Sequence, residues 1–162
     1  MKVQKRRRRE HKTDYLRRRK LLKSEKPRIV FRRTNKYIIA QYVVSSEAQD
    51  KVEINVNSKM LMNYGWPKKS EGSLKSISAS YLTGFLMGKR ISKDGKEKPI
   101  VDFGMIQALH KTKTFAFLKG LVESGIEINC KEEAFPEEDR IKGEHLKNKI
   151  PFDEIKSKLE KI

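Results

Sequence analysis

Arg28-Ile-Val-Phe-Arg-Arg-Thr-Asn-Lys-Tyr-Ile-Ile-Ala-Gln-Tyr-Val-Val44 decides how the rest of the chain is read. Two runs rich in β-branched and aromatic residues, Ile29–Phe31 and Tyr37–Val44, flank the polar tetrad Arg33-Thr34-Asn35-Lys36. That arrangement predicts a β-hairpin, with Asn35 able to tolerate the left-handed backbone that a tight turn needs. The tip carries Arg32, Arg33 and Lys36 beside the ring of Tyr37. Such a tip suits a polyanion with exposed bases: cations meet phosphates, Asn35 meets base edges, and Tyr37 stacks. An ordinary solvated turn has the same local composition, so the surrounding chain has to decide.

Charge is distributed in a way that favours the polyanion. The 162 residues carry a formal charge of +17. Residues 1–36 hold seventeen Lys or Arg against three acids, a net of +14, whereas residues 37–162 are close to balanced at +3. A field confined to one end of the chain is a footprint rather than general basicity. Residues 1–26 read as an arm, with Arg6, Arg7, Arg8, Arg9, Lys12, Arg17, Arg18 and Arg19 as phosphate-contact candidates. Thr13-Asp14 marks a helix start and Tyr15, Leu16 and Leu22 a narrow apolar edge. Like charges this crowded disfavour compact structure, so the arm is expected to order when phosphates neutralise it. A nuclear-import patch or an acidic-membrane contact leaves unexplained why the charge runs straight into the hairpin.

Outward from the hairpin, Val52, Ile54 and Val56 alternate with polar residues as a third antiparallel strand. Asn63-Tyr64-Gly65-Trp66-Pro67 reads as a turn whose aromatics belong to the core or to an RNA-packing surface. Ser78–Arg90 has helical spacing of Tyr81, Leu82, Phe85 and Leu86, and Gly84 and Gly88 predict close packing of that helix on a sheet. Ile100–Gly104 is a short buried strand, the stretch from Thr114 a helix ended by Gly125, and Ile126–Ile128 a final strand. The terminal helix begins near Pro151 and turns Phe152, Ile155 and Leu159 to one side. The expected fold is α/β: a mixed sheet that opens with an antiparallel meander, helices packed on it, and a basic arm in front. The expected organisation is an arm at 1–26, an α/β RNA-binding domain at 27–130, and an acidic loop with a helical tail at 131–162.

Several chemistries find no support in these residues. Gly-rich phosphate loops are absent. His11, His110 and His145 with the single Cys130 give no zinc spacing, and neither a metal nor a cofactor is expected. The acids of Glu132–Asp139 read as a solvated face, and Cys130 as a small packed residue suited to a reducing cytosol. Membrane-spanning apolar runs and a signal-peptide h-region are likewise not seen.

Four blocks in order resemble a known family. They are Lys5-Arg-Arg-Arg-Arg-Glu-His-Lys-Thr-Asp-Tyr15 with Arg17-Arg18-Arg19; Lys26-Pro-Arg-Ile-Val30 through Asn35-Lys36 to Ala40-Gln41; Asn63-Tyr-Gly-Trp66 with Ser80-Tyr-Leu-Thr-Gly84; and Asp102-Phe-Gly104, Phe115–Gly125 and Glu138-Asp-Arg-Ile-Lys-Gly-Glu-His145. Together they resemble the 5S-rRNA-binding protein of the large ribosomal subunit, the universal L-eighteen family, in its shorter archaeal form. The resemblance implies an α/β fold of the ribonuclease-H-like type found in translation components. It implies no catalysis, and a cytoplasmic role in the large subunit, attaching 5S rRNA to the 23S-type rRNA in the central protuberance beside neighbouring ribosomal proteins. By charge and resemblance, Arg28, Arg32, Arg33, Asn35, Lys36, Tyr37 and Gln41 join the arm residues as RNA contacts. Two rivals remain at this point: a nuclease of related fold using Asp102, and a general nucleic-acid-binding protein.

Overall fold

The computed structural model describes residues 3–47, 49–107, 109–146 and 149–162. The hairpin is present, as β1 (Arg28–Arg33) and β2 (Ile38–Ser46), and β3 (Gln49–Asn57) completes an antiparallel meander. A short β4 (Ile100–Asp102) adds to the free side of β1 in parallel, giving the mixed order β3-β2-β1-β4. Arg33 pairs with Ile38 at the closed end, and the Thr34 hydroxyl locks the tip. It accepts from the Tyr37 N–H and donates to the Tyr37 carbonyl, both at 2.8 Å. Asn35 does not use the left-handed conformation that it could tolerate. In this meander that conformation belongs to Glu47 (φ 48°), in the turn between β2 and β3.

Alternation along the strands sorts the sheet into two faces. Ile29, Phe31, Ile38, Ala40, Tyr42, Ile54 and Val56 point into one continuous apolar core. Above them lie α3 (Ile77–Lys93) and α4 (Lys113–Glu123), capped by the Ser76 hydroxyl and ended at Ser124 respectively. The expectation that Gly84 and Gly88 seat a helix on the sheet is wrong about the partner. Gly84 faces the Phe117 carbonyl of α4, Gly120 faces the Tyr81 carbonyl of α3, and Gly88 lies against Ser124. These glycines bring two helix backbones together.

Gly125 (φ 103°) ends α4, and the Ile126 N–H reaches back to the Leu121 carbonyl at 3.1 Å. That cap turns the chain away, so Ile126 drops into the core and Ile126–Ile128 forms no strand. After α5 (Glu138–Lys142), the expected terminal helix forms as α6 (Phe152–Glu160). Phe152, Ile155 and Leu159 join the same core as the sheet residues. The Tyr81 hydroxyl donates to Glu123, which Lys156 also bonds at 3.0 Å, tying α3, α4 and α6 together. Burial and then the Glu123 carboxylate push the Tyr81 phenol well above its ordinary range. Trp66 is core, its indole N–H donating to the Ser70 carbonyl at 3.0 Å, while Tyr64 is half-buried at the edge. Cys130 is half-buried too, and burial raises its thiol pKa.

Candidate nucleic-acid interface

The arm is helical in two pieces, α1 (Arg6–Arg9) and α2 (Tyr15–Lys23). The Asp14 carboxylate caps α2 by accepting from the N–H groups of Leu16 (2.9 Å) and Arg17 (3.2 Å), as the Thr13-Asp14 pair suggests. Neither helix buries a residue. Leu16, assigned to an apolar edge, is instead 64% exposed, and Leu21 and Leu22 are only half-covered. Polar side chains hold the arm to the domain. Arg17 donates to the Gly104 carbonyl (2.9 Å), and Arg18 donates to the Asp50 carboxylate (2.9 Å) at the start of β3.

Asp50 is shared. It also accepts from Arg28 Nη2 (2.7 Å) and from the Ser45 hydroxyl (2.7 Å). Partial burial works against its charge, but the Ser45 and Arg18 hydrogen bonds and the nearby Arg28 outweigh it, so its pKa lies below the ordinary carboxylate value. Arg28 itself is only 2% exposed, with a second carboxylate, Asp102, at 3.7 Å. As a strand residue crossing from Asp102 to Asp50, it presents almost no surface to solvent. The RNA contact expected there thus falls on a buried arginine paired with two carboxylates. Asp102 bonds the Arg32 guanidinium (3.2 Å) and accepts from the Gly104 N–H (2.7 Å). Two arginines and a backbone amide thus commit this carboxylate, and among the described residues no group of acids or histidines converges to hold a metal ion.

These contacts bring the arm and hairpin into one site. A cleft of about 370 Å³ lies between them, its walls including Arg7, Lys12, Tyr15, Arg17, Arg18 and Arg32. Arg6–Arg9 and Arg19 are exposed along the arm, and Lys12 is held by Glu10 at 2.9 Å. Arg33, Asn35 and Lys36 stand exposed at the tip. Tyr37 is half-buried against the core, with its hydroxyl 3.4 Å from Glu71. Gln41 is set apart, half-buried in mid-sheet opposite Val30 and Asn55.

Comparison with known proteins decides the family. The profile described as "Ribosomal large subunit proteins 60S L5, and 50S L18" matches residues 1–99. The large ribosomal subunit protein uL18 of Korarchaeum cryptofilum is 45% identical over 145 residues, covering 90% of this chain and 72% of that protein. That of Methanoregula boonei is 43% identical over 141 residues, 87% of this chain and 79% of its own. The chain belongs to the L18 family, in its archaeal form. Another member, from Methanospirillum hungatei, is 41% identical over 146 residues. This is a family of structural ribosomal proteins, not of enzymes, in keeping with an Asp102 that is fully engaged by its own chain. Among the described residues no helix is long and apolar enough to cross a membrane.

Two lysines near the hairpin tip of this L18-family chain escaped the sequence reading. Lys75, just before the Ser76 cap, is exposed beside Lys36 and Tyr37, and Lys113 is the first residue of α4. Burial, then Arg33 and Lys75, push the Lys113 ammonium pKa down. The available signal was that both lysines stand at the positive end of a helix, where a cation is unfavourable.

Proposed function

We propose that this chain binds 5S rRNA and helps attach it to the large-subunit rRNA in the central protuberance. As an archaeal-type L18 protein it is a structural constituent of the large subunit of the cytoplasmic ribosome, with rRNA as its partner. One observation supports the finer reading: arginines seat the cationic arm beside the hairpin, at Gly104 after β4 and Asp50 of β3, so that arm and hairpin line one basic cleft. In this reading Arg6–Arg9, Lys12 and Arg19 meet phosphates. Arg17, Arg18 and Arg32 divide their donors between RNA and the seat, while Arg33, Asn35, Lys36 and Tyr37 read shape and base faces at the tip. Gln41 would mark the limit of the contact on the sheet, and the exposed acids of Glu132–Asp139 would face neighbouring proteins of the subunit.

A competition assay tests this. At matched salt the protein should prefer folded 5S rRNA over duplex DNA of equal length, and the preference should persist as salt rises. Equal affinity for the two would leave only a general nucleic-acid binder, because non-specific binding is almost entirely counterion release.

A further inference from the structure

We infer that Arg33, Lys75 and Lys113 form a second phosphate subsite on the helix side of the hairpin tip, so that the RNA backbone is gripped from both faces of the hairpin. This rests on the 5S reading above. Strand alternation sends Arg32 and Arg33 to opposite sides of β1. Arg32 joins the arm and its cleft, whereas Phe31 on the other face packs on Phe117 of α4 with ring centroids 4.7 Å apart, so Arg33, two residues on, faces the first turn of α4 and Lys113. Three separate segments supply the cluster: the end of β1, the turn before α3 and the first residue of α4. The Ser80 hydroxyl bonds the Lys113 carbonyl at 2.6 Å, which fixes the two helix starts against each other.

Among the described residues, none of these three cations has a carboxylate within 4 Å, and neither helix has an acid in its first turn. By contrast Lys111, two residues away, is already neutralised by Glu137 at 3.1 Å. Crowding three cations where two helix dipoles also oppose them costs folding free energy, and among the described residues no ion pair on any of the three offsets it. A polyanion offsets it. The adjoining groove holds Asn35, Lys36 and Tyr37, with Glu71 on the Tyr37 hydroxyl, so phosphates on the cluster would bring bases against a ring and an amide. An acidic protein segment would use the cations and leave that ring idle.

The test measures the affinity of full-length K75Q, K113Q and the double variant for 5S rRNA across a salt series, together with thermal melts of the free proteins. The slope of log affinity against log salt should fall by about 0.7–0.9 for each lysine removed. Melting temperatures should hold or rise, since the free fold loses only repulsion. An unchanged slope in the double variant overturns the subsite. So does weaker binding accompanied by a lowered melting temperature, which would make the lysines structural. Normal 5S binding with poor incorporation into large-subunit particles would assign the cluster to another component, and that too sinks the inference. Failure of the wild-type protein to prefer 5S rRNA is a separate result, which removes the parent reading.

Discussion

At the scale of single residues, Arg28 and Asp50 illustrate how an arginine-rich sequence can mislead. In sequence Arg28 looks like one more cation of the basic end, yet its side chain is buried and bonded to Asp50 at 2.7 Å. Arg32, four residues further along β1 on the same face, bonds Asp102 yet stays half-exposed. Composition cannot separate the two, because what distinguishes them is the pair of carboxylates brought from β3 and β4. Replacing Asp50 by Asn keeps the shape and removes the charge, leaving Arg28 with Asp102 at 3.7 Å. The expected cost is about 2 kcal/mol in urea unfolding at pH 7, the range for hydrogen bonds to charged groups. The pH dependence follows from the lowered Asp50 pKa. Its contribution is fully present above the ordinary carboxylate value of about 4 and is lost as pH falls through the lower folded value. The gap between wild type and Asp50→Asn should therefore close in acid. A gap that stayed constant down to pH 2 would mean that the carboxylate charge is not its source.

Among the elements, the crossing of α3 and α4 supports the sheet and hence the hairpin. A methyl group at Gly84 or Gly120 would meet a backbone carbonyl of the opposite helix, which no side-chain rotation can relieve. Gly84→Ala should therefore destabilise by about 3 kcal/mol, even though Ala favours an isolated helix by about 1 kcal/mol. Chemical denaturation of the purified variant gives the value, and a stabilised variant would show that the helices can part. The glycine spacing was legible in the sequence, and so was the element order, because apolar periodicity is a local property. The partner of those glycines was not, since a helix seat and a sheet seat leave the same mark. The missing strand at Ile126–Ile128 has a similar cause. Three apolar-patterned residues read as a strand, but the Gly125 cap and core burial of Ile126 use them before any edge can pair. In the site, the arm and tip were visible as charge, whereas Lys75 and Lys113 become neighbours only when two helix starts meet.

For the whole molecule, the division of labour lies between a core that runs from Ile29 to Leu159 and an arm that contributes nothing to it. Seating on Asp50 and Gly104 holds the arm near the hairpin without a hydrophobic anchor, so local opening of the arm costs little compared with global unfolding. The same seating limits the freedom that RNA must remove on binding. Deleting residues 1–26 should then leave thermal stability nearly intact, the partly exposed Arg18–Asp50 pair being worth about 1 kcal/mol or less. The salt slope for 5S rRNA, in contrast, should flatten by several units, at about 0.7–0.9 per lost phosphate contact. Trypsin adds an independent reading. In the free protein Arg17–Lys20 should be cut long before the core, and 5S rRNA should protect them. Rapid cleavage that RNA does not slow, or a deletion that leaves the salt slope unchanged, would show that the arm does not lie on the RNA. A steep loss of stability on deletion would instead show that polar seating alone suffices to bind the arm into the fold.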